Sequence, residues 1–185
     1  MVKVLFWIIQ GALDPNFFRY LMLIVRQQHL DLIGLFEPRV SGDMADDLIR
    51  RTRFDYSYQV EANGFSGGLC IFWKETMKFD VMAVSNQFVH GIVSPDSGAP
   101  RFFVTFTYGS LNATICKSLW CQLVALESDV GWSWVVGGDL NVIGNLSERQ
   151  RGSARRTWGC ELFGNFMDES GLLDMGFSGP QFTWK

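Results

Sequence analysis

The sequence predicts a layered α/β sandwich, with strands in two packed sheets and helices outside them. Three observations predict it. The chain has 185 residues, enough for one domain with a real core and too few for two of ordinary size. Hydrophobic residues make up 48% of it and charged ones 19%, with 16 Phe and 7 Trp, so burial can offset chain entropy and the composition is that of a folding chain, not a disordered one. A run of short strand patterns between residues 55 and 108 is bracketed by stretches of helical period on either side.

Val2 to Ile9 is rich in β-branched and aromatic residues and ends near Gly11, the pattern of a core strand. Lys3 followed by Val4-Leu5-Phe6-Trp7-Ile8-Ile9 also looks like the start of a signal peptide. The apolar run is too short for that, Gln10 and Asp14 interrupt it, and no A-x-A site follows, so a buried strand is the better reading. Asp14-Pro15-Asn16 then opens a helix whose apolar positions Phe17, Leu21, Ile24 and Val25 share one face, with Arg19, Arg26 and Gln27 largely off it. Leu32 to Phe36 is a continuous apolar strand covered on both faces; it delivers Glu37, and Pro38 prevents its continuation. Ser41 is placed to cap a short helix from Asp43 to Arg51, favoured by Asp43, Asp46 and Asp47 near its positive end.

Five strands follow, over Tyr56–Val60, Leu69–Trp73, Phe79–Val84, Phe88–Val93 and Phe102–Tyr108. Turn signals separate them, among them Asn63-Gly64, Ser66-Gly67-Gly68 and Pro95-Asp96-Ser97-Gly98, which is the pattern of an antiparallel meander. A helix over Ala113–Ser128, with Leu119, Trp120, Leu123 and Val124 inward, leads to a strand over Trp132–Val136 and a loop Gly137-Gly138-Asp139-Leu140-Asn141. A last helix over Thr157–Glu169 precedes a Phe-Thr-Trp strand near Lys185. The longest later apolar run, Tyr20 to Val25, is too short to span a bilayer, so no membrane association is expected.

The net charge of -3 and sequence pI near 5.3 give no global attraction to polyphosphate. Any such contact needs a local patch. Arg149, Arg151, Arg155 and Arg156 supply the best candidate, since guanidinium groups suit bidentate phosphate contacts, though a solvated, flexible loop is the better reading of them taken alone. Cys70, Cys116, Cys121 and Cys160 form no C-x-x-C pair, and His29 and His90 lack ligand spacing to them. Reduced thiols without zinc are expected, in nucleus or cytoplasm and not outside the cell.

Two strand ends carry candidate chemistry: Glu37 after Leu32–Phe36, and Asp139 with Asn141 after Trp132–Val136. Magnesium-assisted hydrolysis needs an oxygen ligand for a hard cation and a second acid to orient or deprotonate water. Taken singly, each carboxylate also fits a loop cap or a solvated charge.

Gly137-Gly138-Asp139-Leu140-Asn141 resembles the G-D-F/L-N signature of the endonuclease/exonuclease/phosphatase family, the deoxyribonuclease I-like fold. Four further stretches resemble the family in its own order. Asp31 to Glu37 looks like its strand ending in the metal-binding Glu; Ser66-Gly67-Gly68-Leu69 with Phe72-Trp73 looks like its S-G-G strand; Phe106-Thr107-Tyr108 is similar to the strand bearing its tyrosine. Gly176 to Trp184 resembles the G-x-x-G-x-x-F-T-W stretch of plant non-LTR retrotransposon versions. The resemblance implies a four-layer α/β/β/α sandwich with mostly antiparallel sheets and Mg²⁺-dependent hydrolysis of nucleic-acid phosphodiesters. It implies that Glu37 binds Mg²⁺, Asp139 belongs to the acid–base machinery, Asn141 hydrogen-bonds the scissile phosphate and Tyr108 supports transition-state charge. The arginine patch would then meet DNA.

Two departures accompany the matches. Where the family's first strand ends in W-N, Trp7 is followed by Ile8, whose side chain makes no hydrogen bond. The family's C-terminal S-D-H motif lies beyond the Phe-Thr-Trp stretch, so the chain is expected to miss its C-terminal strands and catalytic histidine. The expectation is therefore a weak or inactive endonuclease-like domain. The alternatives are a non-catalytic remnant or binding scaffold, and a phosphodiesterase acting on another phosphate ester.

Overall fold

Leu32, Ile33, Leu35 and Phe36 are each 0% exposed, and the strand they form, β2 (Leu32–Phe36), is the one around which the first sheet is built. The computed structural model describes residues 1–9, 16–38, 43–60, 68–126, 131–144, 148, 158–176 and 178–179. The chain groups into two units, Met1–Tyr108 with Trp132–Asp139, and Gly109–Gly131 with Leu140–Lys185.

In the first unit, β1 (Val4–Ile8) lies parallel to β2, while β3 (Tyr56–Val60) and β4 (Leu69–Trp73) complete the sheet in the order β1-β2-β4-β3, with antiparallel pairing. The second sheet runs β5 (Met77–Val84), β6 (Phe88–Pro95), β7 (Phe102–Tyr108) and β8 (Trp134–Asp139), an antiparallel meander closed by a parallel β7–β8 pair. Two mostly antiparallel sheets with accompanying helices are thus what the sequence predicted. Strand alternation divides the side chains between two layers. Leu32, Phe36 and Ile71 meet Phe79, Val89, Val104 and Phe106 between the sheets. Ile33, Leu35, Cys70 and Phe72 face the helices α1 (Phe17–Gln28) and α2 (Asp43–Thr52), which contribute Phe17, Leu21 and Leu48.

In the second unit, α3 (Ala113–Val124) begins at Asn112, whose side chain accepts from the Thr114 and Ile115 N–H groups, as an N-cap should. It packs on α4 (Trp158–Glu169) through Trp120, whose ring stacks on Phe166 at 5.2 Å and tilts against Phe163 at 5.3 Å. Among the described residues, no helix is long and apolar enough to cross a membrane.

One expected boundary changes the description of the site. Gly137, Gly138 and Asp139 belong to β8 and not to the loop after it, and the strand starts at Trp134. The ladder to β7 continues through Thr107↔Gly138 and Tyr108↔Asp139, so the glycines do not break the strand. They permit close packing where a side chain would clash. The β5–β6 hairpin is likewise longer than predicted, pairing Met77 with Pro95, and α3 stops at Val124. The Ser41 cap, Ser66-Gly67, the arginines at 149, 151, 155 and 156, and Phe182-Thr183-Trp184 lie outside the described residues.

Candidate active site

The end of β2 is tied down on both sides before it releases Glu37. Ile9 N–H donates to the Phe36 carbonyl at 3.0 Å, and Glu37 N–H donates to the Gly68 carbonyl at 3.1 Å. Glu37 then adopts a left-handed backbone, φ 54°, and Gly68 opposite it is at φ 80°. The paired turn ends the β2–β4 ladder and takes Glu37 off the strand path.

Tyr108 closes β7, its N–H donating to the Gln87 carbonyl at 2.7 Å. Its hydroxyl donates a hydrogen bond to Glu37 Oε1. This bond runs from the second sheet to the first. Asp139 is the parallel register partner of Tyr108 across β7–β8. Three of the four predicted site residues therefore gather at the strand ends of one unit: Glu37 and Tyr108 by direct contact, and Tyr108 and Asp139 by register.

Asn141 belongs to the second unit. It sits at φ 49°, a conformation Asn tolerates better than most residues, and its Nδ2 donates to the Gly109 carbonyl at 2.8 Å. The amide is thus a long-range tie between two chain segments of that unit, more than a local turn contact.

The donor set agrees with a hard cation. Glu37 and Asp139 offer carboxylate oxygens, and Mg²⁺ is usually held by one or two carboxylates with waters and substrate phosphate completing its shell. Among the described residues, no group of three or more His, Cys, Asp or Glu side chains gathers as a metal cage. Neither histidine takes part. His29 is the left-handed C-cap of α1. His90 is 4% exposed on β6, its Nδ1 2.8 Å from Thr105 Oγ1 and its ring stacked on Phe103; burial lowers its pKa. All four cysteines are free, and burial pushes the Cys70 thiol up to about 12, which makes it inert. Ile8, paired with Phe36 one residue before Glu37, packs against the core between the sheets.

Sequence reasoning missed the two residues that hold this arrangement from behind. Gly68 supplies the carbonyl that turns Glu37, and Gly138 brings β8 against Phe36 and the Thr107 carbonyl. Gly138 was read as part of a loop, and Gly68, read as a turn and as part of the S-G-G strand, was not linked to Glu37.

Two mostly antiparallel sheets, with a Glu, a Tyr and an Asp where their strands end, are the frame of this fold, and residues 9–185 match the Endonuclease/Exonuclease/phosphatase family: the chain belongs to it. No curated protein sequence matches the chain. Among solved structures it is similar to the endonuclease domain of TRAS1, a telomere-specific non-LTR retrotransposon, with a TM-score of 0.69 and 15% identity, covering 96% of this chain and 76% of that one. It is similar also to the AP endonuclease LMAP of Leishmania major, with a TM-score of 0.65 and 15% identity over 91% of this chain and 66% of the other. The catalytic domain of Xenopus laevis APE2 gives 0.60 and 15%, with 89% and 67% covered. The chain thus spans about two thirds to three quarters of the length of these relatives.

Proposed function

We propose that residues 1–185 act as one nuclease-type domain of the plant non-LTR retrotransposon branch, hydrolysing nucleic-acid phosphodiesters with Mg²⁺. The observation that carries this reading is the hydrogen bond from the Tyr108 hydroxyl to the Glu37 carboxylate, made at the strand ends where Asp139 is the register partner of Tyr108. Glu37 would hold the ion, which when bound neutralises charge developing on the phosphoryl oxygens. Asp139 takes the proton of the attacking water, Tyr108 donates toward the phosphoryl group once Glu37 is engaged, and Asn141 donates its amide to the phosphate. Arg149, Arg151, Arg155 and Arg156 contact the DNA backbone on this reading. Free thiols agree with a nuclear or cytoplasmic setting.

Ile8 sets the expected strength of the activity. An aliphatic side chain packed against the core gives no hydrogen bond to phosphate, so hydrolysis by the present chain should be weak. The same observation favours a second reading, a non-catalytic scaffold of the same fold.

Nicking of supercoiled plasmid by residues 1–185 with Mg²⁺ tests both. Weak nicking, lost on chelation, reduced roughly 10²–10⁴-fold by Asp139→Ala and raised by Ile8→Asn, is the expected result. Nicking indifferent to Asp139→Ala would overturn the assignment of the site. Folded protein silent both as it stands and with Ile8→Asn would establish the scaffold.

A further inference from the structure

We infer that a reciprocal set of aromatic rings seated on glycines sets the offset between the two sheets, and so positions Glu37 against Tyr108 and Asp139. The inference rests on the reading of those three residues as one site.

Phe6 of β1 and Gly34 of β2 are register partners in the first sheet, and Phe106 of β7 and Gly137 of β8 are register partners in the second. The rings cross over. Phe106 lies where a Cβ on Gly34 would stand, and Phe6 lies over Gly137, with ring carbons 2.7 to 2.8 Å from the position of a Cβ there. The two rings meet at 5.0 Å between centroids. Each sheet therefore presents one knob and one hole side by side, and the partner presents the complement. Such a pattern admits one lateral offset between the sheets: sliding either by a residue drives a ring into a side chain instead of a glycine.

A third contact extends this clasp to the site. A Cβ on Gly138, which is at φ 138°, would stand 2.8 Å from Phe36 Cζ and would overlap the Thr107 carbonyl. Phe36, Thr107 and Gly138 are the residues immediately before Glu37, Tyr108 and Asp139. The three functional side chains thus emerge one residue beyond a point where their three strands are pressed together. Because Glu37 leaves the first sheet and the other two residues belong to the second, the offset between the sheets sets how far apart their strand ends stand, and the turn at Glu37 and Gly68 adds to it.

Gly137→Ala tests the clasp, because its new methyl collides with Phe6 without altering a site residue; Phe6→Leu in the same chain relieves the collision. The readout is the ¹³Cζ resonance of Tyr108, which reports its hydrogen bond to Glu37, with Glu37→Gln marking the broken bond. Gly137→Ala should move the resonance toward the Glu37→Gln position, and Gly137→Ala with Phe6→Leu should return it. Leu21→Ala, which opens a cavity on the α1 side of the first sheet, should lower the melting temperature and leave the resonance in place. If nicking is measurable it should fall roughly 10- to 100-fold with Gly137→Ala and recover in the double variant. Should Gly137→Ala fail to fold, Phe106→Leu replaces it, removing the ring over Gly34 without a clash, with the same shift expected. An unmoved resonance in the folded variant, or an equal shift from Leu21→Ala, would overturn the clasp. A resonance that moves and returns while neither these variants nor the chain with Ile8→Asn nicks would support the clasp and overturn the hydrolase reading.

Discussion

The two faces of the second sheet are buried by different means. Facing the first sheet, Val89, Val93, Val104 and Phe106 present no polar side-chain atom. On the opposite face, His90, Thr105 and Thr107 alternate with them and are 4%, 0% and 0% exposed. Thr105 Oγ1 is the centre of that face: it accepts from Trp134 Nε1 at 2.8 Å and lies 2.8 Å from His90 Nδ1. One face resists change through volume, the other through hydrogen bonding. The first should answer to cavities and ignore pH; the second should do the reverse.

The largest effect is expected from Phe106→Ala, which removes the ring shared by Phe6, Phe36 and Phe79 and should destabilise by about 3–5 kcal/mol in a denaturant titration. A loss below ~1 kcal/mol would show that the inter-sheet core repacks freely. Thr105→Val comes next. It keeps the volume but removes the hydroxyl that Trp134 Nε1 and His90 Nδ1 both meet, for roughly 1–3 kcal/mol by the same titration.

Acid should then separate the two faces. Burial lowers the His90 pKa, so the unfolded state takes up a proton that the folded state resists. The associated stability is intact above the ordinary histidine value of 6.5 and declines as pH falls below it toward the folded value. Melting temperatures between pH 7.5 and 5 should drop less steeply for His90→Gln than for the parent, whereas the slope of Phe106→Ala should match the parent's. The smallest effect concerns Thr107, whose Oγ1 has no hydrogen-bond partner among the described residues. Thr107→Val should be neutral or stabilising by up to ~1 kcal/mol, and a loss larger than that would reveal a partner for the hydroxyl.

Strands whose two faces differ from their flanking turns were legible in the sequence. Leu32–Phe36, Tyr56–Val60, Leu69–Trp73 and Phe102–Tyr108 emerge with the predicted bounds because glycine, proline or charge punctuates each end. The partition into sheets was not, since pairing β1 with β2 and β7 with β8 in parallel depends on contacts across intervening helices. Gly137 and Gly138 misled for a related reason. Local patterns read glycine as a breaker, whereas the ring of Phe6 and the carbonyl of Thr107, distant in sequence, make it a seat. Glu37, Tyr108 and Asp139 were identified through motif resemblance, but nothing local links Tyr108 to Glu37, 71 residues apart.

Glu37 turns through a backbone conformation that disfavours every L-residue with a full side chain, at about 1–2 kcal/mol. Gly would occupy φ 54° with little penalty, as Gly68 does at φ 80° directly across the ladder. The left-handed backbone at this position thus favours glycine over a residue with a Cβ, and the carboxylate stands there against that preference. Glu37→Gly should therefore cost little stability or add to it, although it removes the hydrogen bond to Tyr108.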